Sequence, residues 1–302
     1  MKNIFIIIFI VFTTTISKAQ WLWDYGVSVG VSNYLGDIGG KEKTRRDFVA
    51  DMKMAKTRWN VGGFARYKVH QKVSVKLALD YLRLEGDDKL SSNPARNARN
   101  LNFRNDMFDL KLTGQVFFFE DNDLGNTYRY KNGFRAYFFA GVGGYYSNPK
   151  TLDGGVKLRP LHTEGKTYSP VGVCIPAGVG FYFTIHKKHR IGYELNYRTT
   201  FTDYLDDVSG DYPSDPSESG DPSLSLRTPE LGPPTSTEQK NVFLSHDWGM
   251  KRGDKTHKDG YMTMSLSYSY VLRGKSSFYR GRYGHFFGKR RHGRVRKIRA
   301  KF

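Results

Sequence analysis

Residues 73–81 read VSVKLALDY. Val73, Val75, Leu77, Leu79 and Tyr81 occupy every second position, with Ser74, Lys76 and Asp80 between them. Successive side chains of a strand point to opposite faces, so the stretch predicts a strand with one oily and one polar face. The same period recurs at 21–32, 57–69, 106–119, 133–146, 170–184, 190–201 and 260–272, which with 73–84 gives eight segments. In 260–272, for example, Met262, Met264, Leu266, Tyr268, Tyr270 and Leu272 alternate with Thr263, Ser265, Ser267 and Ser269.

A soluble β-sandwich and a membrane barrel both produce such alternation. The connections separate them. They run 33–56, 70–72, 85–105, 120–132, 147–169, 185–189 and 202–259, long and short in strict alternation. Long external loops and short periplasmic turns are the pattern of outer-membrane barrels. Strands of about 10 residues suffice to cross when tilted, and in lipid only a closed barrel pairs every backbone group. The expected fold is all-β, an eight-stranded antiparallel transmembrane outer-membrane β-barrel over 20–273, with both termini in the periplasm. A barrel of this size is filled by its own side chains. Arg66, Lys68, Lys76, Asp80, Asp109, Lys111, Glu194 and Arg198 lie on the polar faces, and are expected to pair in the lumen rather than line a conducting pore.

The ends of the chain carry different signals. MKNIFIIIFIVFTTTISKAQ (Met1–Gln20) has a positive start, an apolar run from Ile4 to Phe12, and small residues at Ser17 and Ala19. It reads as a secretory signal peptide over 1–19, cut before Gln20. The net charge of the 302-residue chain is +19, and much of it lies in 274–302, which has no acid. There the aromatics Phe278, Tyr279, Tyr283, Phe286 and Phe287 are interleaved with Arg280 and Arg282, and Lys289, Arg290, Arg291, Arg294, Arg296, Lys297 and Arg299 follow. Composition alone would suggest RNA, but export excludes nucleic acid. Periplasmic polyanions remain: acidic protein surfaces, peptidoglycan and lipid phosphates. The expected partner-binding residues are Arg280, Arg282, Tyr283, Phe286, Phe287, Lys289, Arg290, Arg291, Arg294, Arg296, Lys297 and Arg299.

Signals for chemistry are weak. Cys174 is the only cysteine, and no Cys/His cluster has zinc spacing. Residues 203–221 hold Asp203, Asp206, Asp207, Asp211, Asp215, Glu218 and Asp221 and no Lys or Arg. This spacing matches no EF-hand, and a solvated acidic loop is expected. Ser245, His246 and Asp247 are adjacent in sequence, whereas a triad requires convergence in space. AGVGGYY and AGVGFYF lie within strand segments with no helix after them, so neither makes a phosphate cradle. No catalytic, cofactor-binding or metal-binding residue is expected, and no enzyme.

Two stretches resemble a known family. SNYLGDIGG (Ser32–Gly40) and YRTTFTDYLDDVSGDY (Tyr197–Tyr212) are similar to the PorG family of outer-membrane proteins, also catalogued as a DUF6089 family. The resemblance implies a non-enzymatic part in type IX protein secretion and gliding. In that family the barrel associates, on its periplasmic side, with the ring of PorK-type lipoprotein and PorN, or GldK and GldN in gliding bacteria. It implies no cofactor and no list of ring-contacting residues. Asp203, Asp206 and Asp207 belong to the second stretch and are expected on the external side as loop determinants. The contact surface is expected at the turns Glu120–Asn132 and His186–His189 and in the tail, with outer-membrane lipids and peptidoglycan as further contacts.

Overall fold

The computed structural model describes residues 23–38, 54–91, 93–121 and 132–272. The expected signal peptide, the basic tail and most of the turn after Glu120 lie outside the described residues. In chain order the strands are β1 (Trp23–Leu35), β2 (Arg58–His70), β3 (Val73–Asp87), β4 (Asn102–Asp121), β5 (Gly133–Tyr146), the two-residue β6 (Pro149–Lys150), β7 (Val171–Ile185), β8 (His189–Thr200) and β9 (Gly260–Leu272). All neighbours are antiparallel, in the order β3-β2-β1-β9-β8-β7-β5-β4. β4 then returns to β3, paired from Val73↔Val116 to Asp87↔Asn102, and closes the sheet into an eight-stranded barrel. β6 is a short addition to the flank of β4.

Side-chain alternation decides what the barrel is. Val27, Leu77, Leu112, Val142, Val173 and Leu266 all point outward and are exposed, up to 60% for Val142 and Leu266. An apolar belt running round the sheet greatly exceeds the patches a water-soluble monomer leaves open. It matches the apolar band of an outer-membrane-type barrel. The polar faces point inward, as expected. Glycines on those inner faces give room to large neighbours: a Cβ on Gly26 would stand 2.6 Å from the Phe64 ring, and one on Gly180 2.7 Å from the Tyr137 ring.

The alternation changes phase near one rim. On β3, Leu79 and Tyr81 face out, while Leu82 and Leu84 are wholly buried and Arg83 now takes the outer face. On β4, Phe108 faces out, and Phe103 and Met107 are buried beside outward Arg104 and Asp106. Below this level the barrel is oily outside and polar inside. Above it the arrangement is that of a water-soluble protein. The buried side chains there, Tyr34, Ile38, Leu82, Leu84, Leu101, Phe103, Met107, Leu205, Val208 and Tyr261, form one apolar core beneath the loops.

The strand ends joined by the long connections 36–57, 88–101, 147–170 and 201–259 are all at this loop end, and those joined by the short ones, 71–72, 122–132 and 186–188, at the other. The loop end is built rather than irregular. It includes α1 (Pro94–Arg99), α2 (Pro222–Ser225) and α3 (Thr237–Leu244), each begun by an Asn, Asp or Ser side chain that accepts a backbone N–H. At the opposite end, β7 and β8 join through His186 and Lys187, with φ of 51° and 62°. Lys188 N donates to Ile185 O at 3.2 Å. Two left-handed residues match the twist of a tight hairpin but are costly for side chains other than Asn or Gly.

Two substitutions test this architecture. Leu112→Arg puts a charge on the lipid face and should cost about 2–4 kcal/mol of folding stability in bilayers. An unchanged urea midpoint in lipid vesicles would refute the outward assignment. His186→Asn relieves the left-handed turn and should raise stability by about 0.5–1 kcal/mol, read as a higher melting temperature of the folded band on gels.

Candidate functional site

Seven of the eight expected lumen residues meet in two linked clusters; Lys68 is only half-buried and joins neither, lying instead at the turn end. Towards the turn end, Asp24 pairs with Arg190 at 2.9 Å and Arg66 at 3.5 Å, and accepts from Ser269 Oγ at 2.8 Å. Glu194 accepts from Lys76 and from Tyr137 Oη, each at 2.6 Å, with Arg66 at 3.8 Å. Towards the loop end, Arg198 spans Asp109 at 2.6 Å and Asp80 at 3.1 Å, and Lys111 also pairs with Asp80. The Arg66 guanidinium lies 4.8 Å from the Tyr182 ring and that of Arg198 5.0 Å from the Tyr261 ring. Arg66, Arg198, Tyr137 and Gln115 are each 2% exposed or less. Charges this deep persist only when paired, so the lumen is a cross-braced plug. Asp24, Arg190 and Tyr137 join it without having been expected; Asp24 stands one step before the alternation of its segment becomes clear.

At the loop end the two family-like stretches come together. Tyr34 Oη donates to Asp259 Oδ1 at 2.6 Å, and Ile38 N to Asp206 Oδ2 at 3.2 Å. Asp206 also accepts from Val208 N at 3.0 Å, and Asp259 from Leu205 N at 3.0 Å. Arg99 links three loops, binding Asp88 at 2.8 Å, Asp37 O at 2.9 Å and Arg252 O at 2.6 Å. Arg252 in turn reaches Asp207 O at 2.6 Å and Glu164 at 3.2 Å. Asp207, at φ 70°, accepts from Thr163 Oγ1 at 2.5 Å and Tyr168 Oη at 2.6 Å.

The expectation of a solvated acidic loop is therefore corrected for its first half. Asp203, Asp206 and Asp207 are buried, each 1% exposed; Asp206 and Asp207 receive backbone and hydroxyl donors of the cap loops, whereas both carboxyl oxygens of Asp203 are enclosed without a hydrogen-bond partner among the described residues. Asp211, Asp215 and Glu218 are exposed, as expected. Burial raises the carboxyls of Asp206 and Asp259 well above the usual range, and each is raised further by nearby carboxylates. Burial also pushes Asp203 up to about 7, with Asp37 and Glu164 adding to the rise and Lys258 opposing it. Among the described residues no group of His, Cys, Asp or Glu is arranged to hold a metal ion. The partners Glu164, Arg99 and Arg252 had no signal in the sequence, since each reaches groups distant from it in the chain.

Ser245, His246 and Asp247 form no triad. His246 Nδ1 lies 3.2 Å from Ser245 Oγ and 2.9 Å from the α3 carbonyl of Val242. Asp247 instead accepts from Trp248 N at 2.8 Å. Burial depresses the His246 imidazole below its ordinary value, which suits its packing against the cap.

The turn end is the opposite in character. His70, Lys72, His186, Lys187 and Lys188 cluster there with Lys68, Arg135, Arg190 and His189, against Glu120, which pairs with Arg135, and Asp121. Leu272, the last residue of β9, stands opposite Trp23 at the start of β1, and Tyr270 opposite His189. The chain therefore leaves the barrel towards residue 273 beside this basic surface. The twelve expected partner-binding residues, Arg280 to Arg299, lie outside the described residues.

The raised carboxyl of Asp203 gives the cap a pH dependence of definite sign. The unfolded carboxyl loses its proton near 3.8 and the folded one near 7. Between these values the folded chain holds the extra proton, so cap stability falls as pH rises through the window and levels off above it. Intrinsic-rate-corrected amide exchange in 203–212 should therefore show more opening at pH 8 than at pH 5. Asp203→Asn should flatten part of that rise; an unaltered profile would refute the assignment.

The chain is similar to solved structures at low identity and low TM-score. The solved barrels it is similar to include the N-terminal β-barrel domain of Pseudomonas aeruginosa OprF, at 9% identity, TM-score 0.35, covering 84% of this chain and 100% of that one. Neisserial surface protein A matches at 6% identity and TM-score 0.37, covering 84% and 99%. Ail of Yersinia pestis matches at 10% identity and TM-score 0.35, covering 83% and 99%. No curated protein matches the chain. A family model described as a domain of unknown function, DUF6089, matches residues 2–220, from the N-terminus through the seventh long strand and into the last loop. That match takes in both stretches that meet in the cap and covers well over half of the sequence, and the chain belongs to the DUF6089 family.

Proposed function

We propose that this protein is a non-enzymatic outer-membrane component of the type IX secretion and gliding machinery. In this reading the barrel anchors a periplasmic ring of PorK/GldK-type lipoprotein and PorN/GldN-type protein, and both barrel termini face the periplasm. The observation that carries it is the unlike character of the two ends. At the loop end, Asp207, Glu164 and Arg252, and Asp88 and Arg99, are turned inward on one another in buried pairs. At the turn end, basic side chains face outward, and the chain departs there into a segment of eleven Lys and Arg without an acid. A plugged lumen offers no route for cargo, which favours a scaffold over a channel.

Positive potential of this extent steers and holds an acidic partner surface, and its contribution is screened by salt. The same surface would bind peptidoglycan or anionic lipid directly, which is the second reading. Deleting 275–302 should leave the barrel inserted and heat-modifiable on gels while lowering recovery of ring proteins in a detergent pull-down several-fold. Undiminished recovery would remove the tail from the interface. Salt-sensitive sedimentation of the purified chain with cell wall, with no ring protein recovered from cells, would favour the second reading.

A further inference from the structure

The outer face of β3, β4 and β5 changes character in regular steps towards the loop end. The paired residues Leu79 and Leu110 are exposed and oily. One step on, Tyr81, Phe108 and Tyr146 stand in direct register across three strands, with the Tyr81 and Phe108 rings 4.9 Å apart. The next step is ionic. Arg83 Nε binds Asp106 Oδ1 at 2.6 Å while its guanidinium lies 5.6 Å from the Trp59 ring, and Arg104 reaches the same carboxylate at 3.3 Å. The following step pairs Arg58 with Glu85 at 2.6 Å. A change from aliphatic to aromatic to charged within a few residues marks where hydrocarbon gives way to headgroups.

A groove of about 560 Å³ opens at this level, over Tyr81, Phe108 and Tyr146 and beside Asp106, Lys150 and Lys157. Lys150 and Lys157 are antiparallel bridge partners, so their side chains leave the same side of the backbone. Asp106 and Glu85, the acids of this patch, are already held by arginines. Neither lysine takes part in an ion pair among the described residues. Two like charges set side by side repel unless an anion lies between them.

We infer that this groove binds the phosphate-bearing headgroup of an anionic lipid in the leaflet at the loop end. Lys150 and Lys157 take the phosphate, and the row Tyr81, Phe108 and Tyr146 carries the glycerol or sugar and the first methylenes of the chains. A lipid rather than a free ion is assigned because the cationic pair sits directly above an aromatic shelf that faces hydrocarbon. The site is remote from the turn end and independent of which protein docks there.

The test is native mass spectrometry of the full-length chain in neutral detergent, titrated with bisphosphorylated lipid A, phosphatidylglycerol or phosphatidylcholine. Expected is retention of the two anionic lipids in preference to phosphatidylcholine. The double variant Lys150→Glu/Lys157→Glu should weaken the tightest lipid by roughly thirtyfold or more, from about fivefold per surface lysine lost; Lys240→Glu, on the exposed α3 helix, should leave it unchanged. If charge reversal prevents folding, Lys150→Gln/Lys157→Gln should still weaken binding while preserving the folded gel band. Equal retention of phosphatidylcholine, undiminished affinity in the folded double variant, or displacement by equimolar inorganic phosphate would overturn the assignment. None of these outcomes bears on ring recovery by the tail, so the two proposals fail separately.

Discussion

The fold depends on one seam. In hydrocarbon, an unpaired backbone N–H or C=O has no water to turn to, and each costs several kcal/mol. The pairing of β3 with β4, unbroken from Val73↔Val116 to Asp87↔Asn102, leaves the eight-stranded sheet without an edge. The remaining features follow from it. A closed sheet surrounded by lipid must turn Val27, Leu112 and Val142 outward, so its polar positions face a lumen too narrow for bulk water. Charges there must find partners among themselves. Glu194 with Lys76, Asp24 with Arg190 and Asp109 with Arg198 do so across strands distant in sequence, which braces the barrel from within.

The barrel was legible because the membrane imposes a strict period on it. Segments 133–146 and 260–272 coincide with the observed strands, and the others differ by a few residues. The largest shift, β4 beginning at Asn102 and not at 106, has a physical cause. From Asn102 to Met107 the buried side chains Phe103 and Met107 are apolar and the outward ones are Arg104 and Asp106, so the rule relating polarity to face is reversed above the rim. A reader following one phase stops where the phase changes. The cap was legible only as two family-like stretches. Their meeting, directly through Ile38 and Asp206 and by way of Asp259, which accepts from both Tyr34 and Leu205, is a long-range contact. Seven acids without a base suggested solvation, because the donors that hold Asp207, namely Arg252, Thr163 and Tyr168, come from other parts of the chain.

The two ends of the barrel put ionisable groups to unlike uses. In the cap, carboxyls are withdrawn from water, and those of Asp203, Asp206 and Asp259 are pushed towards neutrality by burial and by one another. The oxygens of Asp206 and Asp259 act as acceptors that fix the loop backbone at Ile38, Leu205 and Val208. At the turn end, Lys72, Lys187 and Lys188 face solvent beside the exit of β9. The first arrangement gives a rigid lid, and the second gives a surface whose influence extends about a Debye length into the adjoining solution.

The single thiol has a practical corollary. Cys174 is fully enclosed, facing the lumen beneath the cap, within the core that also holds Tyr145 and Tyr261. Membrane-impermeant maleimides have no path to it while the barrel is intact. The natural chain is thus already a blank background for cysteine-scanning accessibility. A new thiol at an exposed position such as Ser214 or His70 can report which compartment each rim occupies, without first rebuilding the interior.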